Sequence, residues 1–124
     1  MLKFYLKTLR PLAEILKSEE GRIGIVLCNE SGDLDSVVCS TVLAAFLQKT
    51  LGFSHFPLLP FSRDDLRLKT EVLFCFEKKL DLSIVNTLPC LEDFLSLTSD
   101  EKWKNKNVEV SLVDHNLINV APIR

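Results

Sequence analysis

The amino-acid sequence predicts an α/β domain, a parallel sheet with helices on both faces. Two observations carry that expectation. Short apolar runs of strand character alternate with longer stretches of helical periodicity, and those stretches are long enough to cross over between parallel strands. The chain has 124 residues, one domain's worth, with no internal repeat or low-complexity tract to divide it.

Each element has its own warrant. Residues 1–17 read as a first helix because Leu2, Leu6, Leu9, Leu12 and Leu16 recur every three or four positions, with Pro11 setting a bend or a helix start. Gly21 offers a stop, and residues 23–28 form a short buried strand. Residues 36–50 are helical, with Val38, Val42, Ala45 and Phe46 on the apolar stripe and Gln48 and Lys49 turned outward. Residues 55–61 are a second extended segment whose two prolines suit an edge strand or a strand end. Asp64 or Asp65 caps a third helix running to Lys79, with Leu68, Val72, Phe76 and Leu80 along one side. A third strand falls within residues 84–91, a weaker helix covers 94–104, and 108–113 is a fourth strand.

Composition narrows the function classes. Apolar residues at 47% and charged residues at 26% suit a soluble globular chain and are too hydrophobic for a disordered one. A net charge of −2 argues against the basic footprint that nucleic acid or an anionic membrane requires, so neither is expected as a partner. Apolar runs such as residues 42–47 stop at six residues, against the roughly 20 of a membrane helix. Cys28, Cys39, Cys75 and Cys90 lack CxxC spacing and are expected as reduced, mostly buried thiols of a cytoplasmic protein, with a disulfide as the alternative. The basic N-terminal stretch shares its charge with mitochondrial presequences, but Glu14 and the core periodicity favour a packed helix.

Three acidic clusters then fall at predicted strand ends, where open parallel sheets bind ligands. They are Asn29-Glu30-Ser31-Gly32-Asp33-Leu34-Asp35-Ser36, Glu92-Asp93, and Asp114-His115-Asn116. Hard divalent cations want oxygen ligands, with imidazole acceptable to Mn²⁺. Asp33 and Asp35 can present carboxylates to adjacent metal positions while Leu34 turns into the core. A third carboxylate can bridge them, Asp114 before Asp93, because Asp114 follows the clearer strand directly. Two such ions can activate a water and stabilise both oxygens of a phosphoryl transfer, and the helix start near Ser36 adds N–H groups for a phosphate. Plainer roles stand beside these. Asp35 or Ser36 can cap the second helix, Asp93 can cap the next one, Asp114 can be a turn residue, and His115 a surface or core histidine. His55 has no acidic neighbour in sequence and reads as structural.

At these residues the chain resembles the DHH phosphoesterase superfamily, in the branch of the eukaryotic exopolyphosphatases and prune proteins. The stretch from Asn29 to Ser36 looks like its first motif, and Leu112-Val113-Asp114-His115-Asn116 looks like its second. Phe61-Ser62-Arg63-Asp64-Asp65-Leu66-Arg67-Leu68-Lys69 resembles an I-P-R-x-D-L-x-L-R segment, with Phe61, Ser62 and Lys69 as the departures. Leu91-Glu92-Asp93-Phe94 is similar to an acidic turn that is not a metal motif. The resemblance implies a manganese- or magnesium-dependent hydrolase that removes terminal phosphate from inorganic polyphosphate or a pyrophosphate-like substrate.

By that resemblance Asp33 and Asp35 bind metal, Asp114 bridges two ions, and Asp114 and His115 form the catalytic pair. His115 would contact phosphate or support the ligands. Asn29 would be a weak oxygen ligand that favours Mg²⁺ over Mn²⁺, and Asn116 a neutral hydrogen-bonding contact to phosphate. Arg63 would bind phosphate, or else pair with Asp64 or Asp65 at a helix entry. The chain stops ten residues after Asp114, whereas the family continues with its third motif and a second, substrate-closing domain. The expectation is therefore an incomplete domain whose turnover is impaired unless a protein partner or oligomer completes it. The alternatives are a non-catalytic metal- or partner-binding fragment, and a prune-like enzyme for short polyphosphates or cyclic nucleotides.

Overall fold

The computed structural model describes residues 2–9, 14–15, 21–29, 31–80, 88–97 and 106–113. Its elements run α1 (Leu2–Thr8), β1 (Arg22–Leu27), α2 (Leu34–Leu51), β2 (His55–Leu58), α3 (Arg63–Leu68), α4 (Thr70–Leu80), α5 (Leu91–Leu97) and β3 (Asn107–Leu112). The strands form one parallel sheet in the order β2-β1-β3. Leu27 lies level with Leu58 on one side and Leu112 on the other, so the three strands end together. The chain is an α/β protein.

Strand β1 is buried on both faces, as the middle strand of a parallel sheet must be. Val26 and Cys28 join one core cluster with Tyr5 and Leu6 of α1, Val37, Ala44 and Ala45 of α2, Leu66 of α3, and Val72 and Phe76 of α4. Ile23 and Ile25 join a second cluster with Ile15, Phe56, Leu58 and Phe94 of α5. Helices thus cover both faces. Gly24 keeps a place in β1 because a Cβ there would strike the ring of His55, its neighbour in register.

Backbone groups on the outer edge of β2 are met by distant parts of the chain. The His55 N–H donates to Gln48 Oε1 at 3.1 Å, and the His55 carbonyl accepts from the Tyr5 hydroxyl at 2.6 Å. Pro57 has no N–H to leave unpaired there. The Leu59 N–H donates to the Pro89 carbonyl at 3.0 Å, and Leu59 makes a parallel bridge with Cys90. That bridge falls inside the expected third strand, of which residues 84–87 lie outside the described residues. Gln48 faces β2, not solvent. His55 is a core histidine, 3% exposed, with Nδ1 2.9 Å from the Phe53 carbonyl oxygen.

Several expectations need correction. The inward face of α2 matches the expected stripe only in part: Ala45 is buried and Val38 packs on the core, but Val42 and Phe46 are exposed, and Ser36, Val37, Ser40, Thr41 and Ala44 are buried instead. Side-chain volume decided this. The buried hydroxyls of Ser40 and Thr41 return to the Val37 carbonyl at 3.0 and 2.8 Å, so they pack as small, satisfied groups. The helix expected to end at Lys79 is two helices, α3 and α4, broken at Lys69. Ser62, not Asp64 or Asp65, caps α3 through its Oγ and the Asp65 N–H. The break turns Leu66 inward and leaves Leu68 exposed. Helix α5 begins at Leu91 rather than at residue 94, and 98–105 lie outside the described residues. All four thiols are free, but only Cys28 and Cys90 are buried, while Cys39 is exposed and Cys75 half-buried.

Helix α2 is long and apolar enough to cross a membrane by length and composition alone. Here it is the crossover between two paired parallel strands, and its small face lies in the sheet's core cluster.

Candidate functional site

From β1 the chain moves outward to β2 and to the Cys90 bridge, then returns to the other side of β1 as β3. The strand order therefore reverses between β1 and β3. In open α/β sheets the crevice at the carboxyl ends of such strands is where ligands bind. The loop after β1 leaves the sheet beside that reversal.

The loop is built from internal bonds. Asn29 Oδ1 accepts the Ser31 N–H at 2.9 Å, and the Asn29 carbonyl accepts the Gly32 N–H at 2.9 Å. Gly32 has φ +60°, a left-handed conformation that glycine adopts without strain. A Cβ there would also strike the Phe61 ring and come within 2.9 Å of Lys69 Cε, so the loop lies flat on those side chains. Lys69 reaches up from the α3–α4 junction and donates from Nζ to the Ser31 carbonyl at 2.6 Å. Its ammonium is 4.9 Å from the Phe61 ring centroid, a cation–π distance.

Asp33 ends the loop in an extended conformation and caps α2, its Oδ1 accepting the Ser36 N–H at 3.0 Å. The capping role considered for Asp35 or Ser36 belongs to Asp33. Those bonds from Ser36, with a smaller contribution from the Lys69 charge, hold the Asp33 carboxyl below its ordinary value. A carboxylate has acceptor capacity beyond one such bond, so capping does not preclude a cation. Asp35 is exposed in the first turn of α2, and Leu34 between the two acids packs against the core. Cys28, just before the loop, is buried, and burial pushes its thiol up to about 12. It is a buried core thiol.

Arg63 sits elsewhere. Its guanidinium pairs with Asp93, not with Asp64 or Asp65, and also reaches the Leu88 carbonyl at 3.4 Å. The Arg63 N–H donates to Glu92 Oε1 at 2.8 Å. Asp93 Oδ2 also accepts the Cys90 N–H at 2.8 Å, the reach-back bond of a helix-capping box. Arg63, Glu92 and Asp93 thus lock the start of α5 to the start of α3. Asp93 is held in that lock.

The structure brings Asn29, Asp33 and Asp35 together on one loop and helix start. Asp114, His115 and Asn116 lie outside the described residues, as does Glu30. The Val113 N–H donates to the Leu27 carbonyl at 3.0 Å, so the described chain stays beside β1 up to the residue before Asp114. Among the described residues no group of three His, Cys, Asp or Glu side chains could hold a metal ion. Sequence reasoning missed Lys69 as a contact of the acidic loop. Its one signal was Thr70-Glu71, a polar helix-start pair inside an otherwise continuous helical pattern. No family model, no curated protein and no solved structure matches this chain.

Proposed function

We propose that this chain is a metal-dependent phosphoesterase domain of the DHH type that releases terminal phosphate from inorganic polyphosphate. The observation that carries the reading is the reversal of strand order beside Asp33 and Asp35. The two acids follow β1 at its carboxyl end, and β3, in register beside it, leads directly to Asp114. Ligand crevices form at such reversals, and oxygen-rich loops there suit a hard divalent cation.

In this reading Asp33 and Asp35 supply anionic oxygens from one side of the crevice and Asp114 from the other, with Asn29 as a neutral oxygen donor. Paired divalent cations supply positive charge for the attacking and leaving oxygens of a phosphoryl transfer. The cap bond from Ser36 lowers the Asp33 carboxyl from its ordinary value and fixes its Oδ1, so one ligand is oriented before any cation arrives. His115 and Asn116 are the candidate phosphate contacts. Arg63 is the weakest member of the set, because Asp93 already neutralises it.

Phosphate release from polyphosphate, pyrophosphate and a cyclic nucleotide with Mn²⁺ or Mg²⁺ tests the reading. Polyphosphate turnover that drops at least about tenfold in Asp35→Asn is the expected result. Asp35 is exposed, so that variant should fold normally. Turnover untouched by the substitution would remove the proposed site, and Mn²⁺ binding without any turnover would favour a binding module.

A further inference from the structure

We infer that Lys69 is a positioning residue for the acidic loop, clasping the Ser31 carbonyl so that the loop presents Asp33 to a divalent cation. The clasp itself stands on the geometry; its use for a cation rests on the function proposed above.

Lys69 is anchored on both sides. Its N–H donates to the Leu66 carbonyl at 3.0 Å, closing α3, and its own carbonyl accepts the N–H groups of Val72 and Leu73, both at 3.1 Å, opening α4. One residue therefore ends a helix and begins the next, and its Cα cannot drift. From that fixed point the aliphatic stem passes under Gly32, where no Cβ would fit, and the ammonium meets the Ser31 carbonyl. The bonds of Asn29 to Ser31 and Gly32 are internal to the loop. Lys69 supplies a tie to a separate element. The Lys69 ammonium adds a restraint from a packed helix junction at the Ser31 carbonyl. The break between α3 and α4 acquires a purpose here, because a continuous helix would not close one turn and open another at this residue.

The clasp has a sign that separates it from a simple charge effect. Removing a nearby cation strengthens the binding of another cation by Coulomb's law, whereas releasing the loop weakens it. Hydrogen exchange and Mn²⁺ binding, measured on wild type, Lys69→Met and Lys69→Arg, decide between them. Methionine keeps a stem of similar length under Gly32 but loses the ammonium. In Lys69→Met the Ser31 and Gly32 amides should exchange about tenfold faster, while Ile25 and Val26 in β1 are unchanged. Mn²⁺ affinity should fall about tenfold in the same variant despite the lost positive charge, as it does when a group orienting a ligand is removed. Lys69→Arg, which keeps a charged donor, should recover most of both losses. Unchanged exchange of Ser31 and Gly32 in Lys69→Met overturns the clasp, and Mn²⁺ affinity equal to or above wild type overturns its role in presenting Asp33. Failure of the wild type to bind Mn²⁺ defeats the metal reading and the cation role together, while the exchange comparison still decides the clasp.

Discussion

Asp33 caps α2 and, in the function proposed above, binds a cation, two duties that different substitutions can separate. Asparagine caps a helix about as well as aspartate, and alanine does not. Asp33→Asn should therefore keep the thermal stability of the wild type while losing Mn²⁺ binding, and Asp33→Ala should lose both. Melting curves with and without Mn²⁺ read this directly, and equal Mn²⁺ stabilisation of wild type and Asp33→Asn would contradict it. The cap also sets a pH dependence. Because the folded state holds this carboxyl below its ordinary value, its contribution is present above the normal carboxylate range and fades as pH falls through the folded value. Asp33→Asn should flatten the acid limb of the stability profile accordingly. The junction between β1 and α2 was legible in the sequence because glycine and acids are turn and helix-start residues. Which acid caps was not. That depends on where the first helical turn closes, and boundaries of that kind shift by a residue or two with tertiary packing.

Helix α2 shows what periodicity reads well and what it does not. Its existence and length follow from a long helical pattern, and its end follows from Gly52, which has φ +81° and donates its N–H to the Gln48 carbonyl. Its buried face does not follow from hydropathy. A crossover helix lies close against its sheet, and close approach selects Ser40, Thr41, Ala44 and Ala45 over Val42 and Phe46. Val42→Gln and Phe46→Gln should change stability by less than about 0.5 kcal/mol each, as exposed sites do. Ala44→Leu, an addition to a fully buried position, should cost about 1–3 kcal/mol by overpacking. Chemical denaturation of the three variants checks the assignment, and the reverse order of effects would restore the hydropathy stripe. The α3–α4 break was equally hidden. Both halves have helical patterns, and only bonds to the Lys69 backbone divide them.

At the scale of the molecule, strand order is the feature that gives the acids meaning. Alternating strand and helix patterns made a parallel α/β sheet legible, but no local pattern says on which side of β1 the last strand pairs. Placement of β3 opposite β2 follows from long-range packing, and it creates the reversal that the loop after β1 borders. The same topology explains the outer edge of β2, where Tyr5, Gln48 and Pro89 each answer a backbone group from distant parts of the chain. Arg63 belongs to this scale as well. Sequence proximity suggested Asp64 or Asp65 as its partner, whereas the fold brings Asp93 to it from thirty residues away.

In the proposed function Asp33, Asp35 and Asp114 converge on one cation-binding rim at the carboxyl ends of β1 and β3. Paramagnetic broadening of backbone amide resonances by substoichiometric Mn²⁺ tests it most directly. Asp33, Asp35 and Asp114 should broaden first and together, while Gly21, Ser54 and Asn107 at the opposite ends of the strands stay sharp. Broadening that spares Asp114, or that spreads evenly over the surface acids, would contradict it.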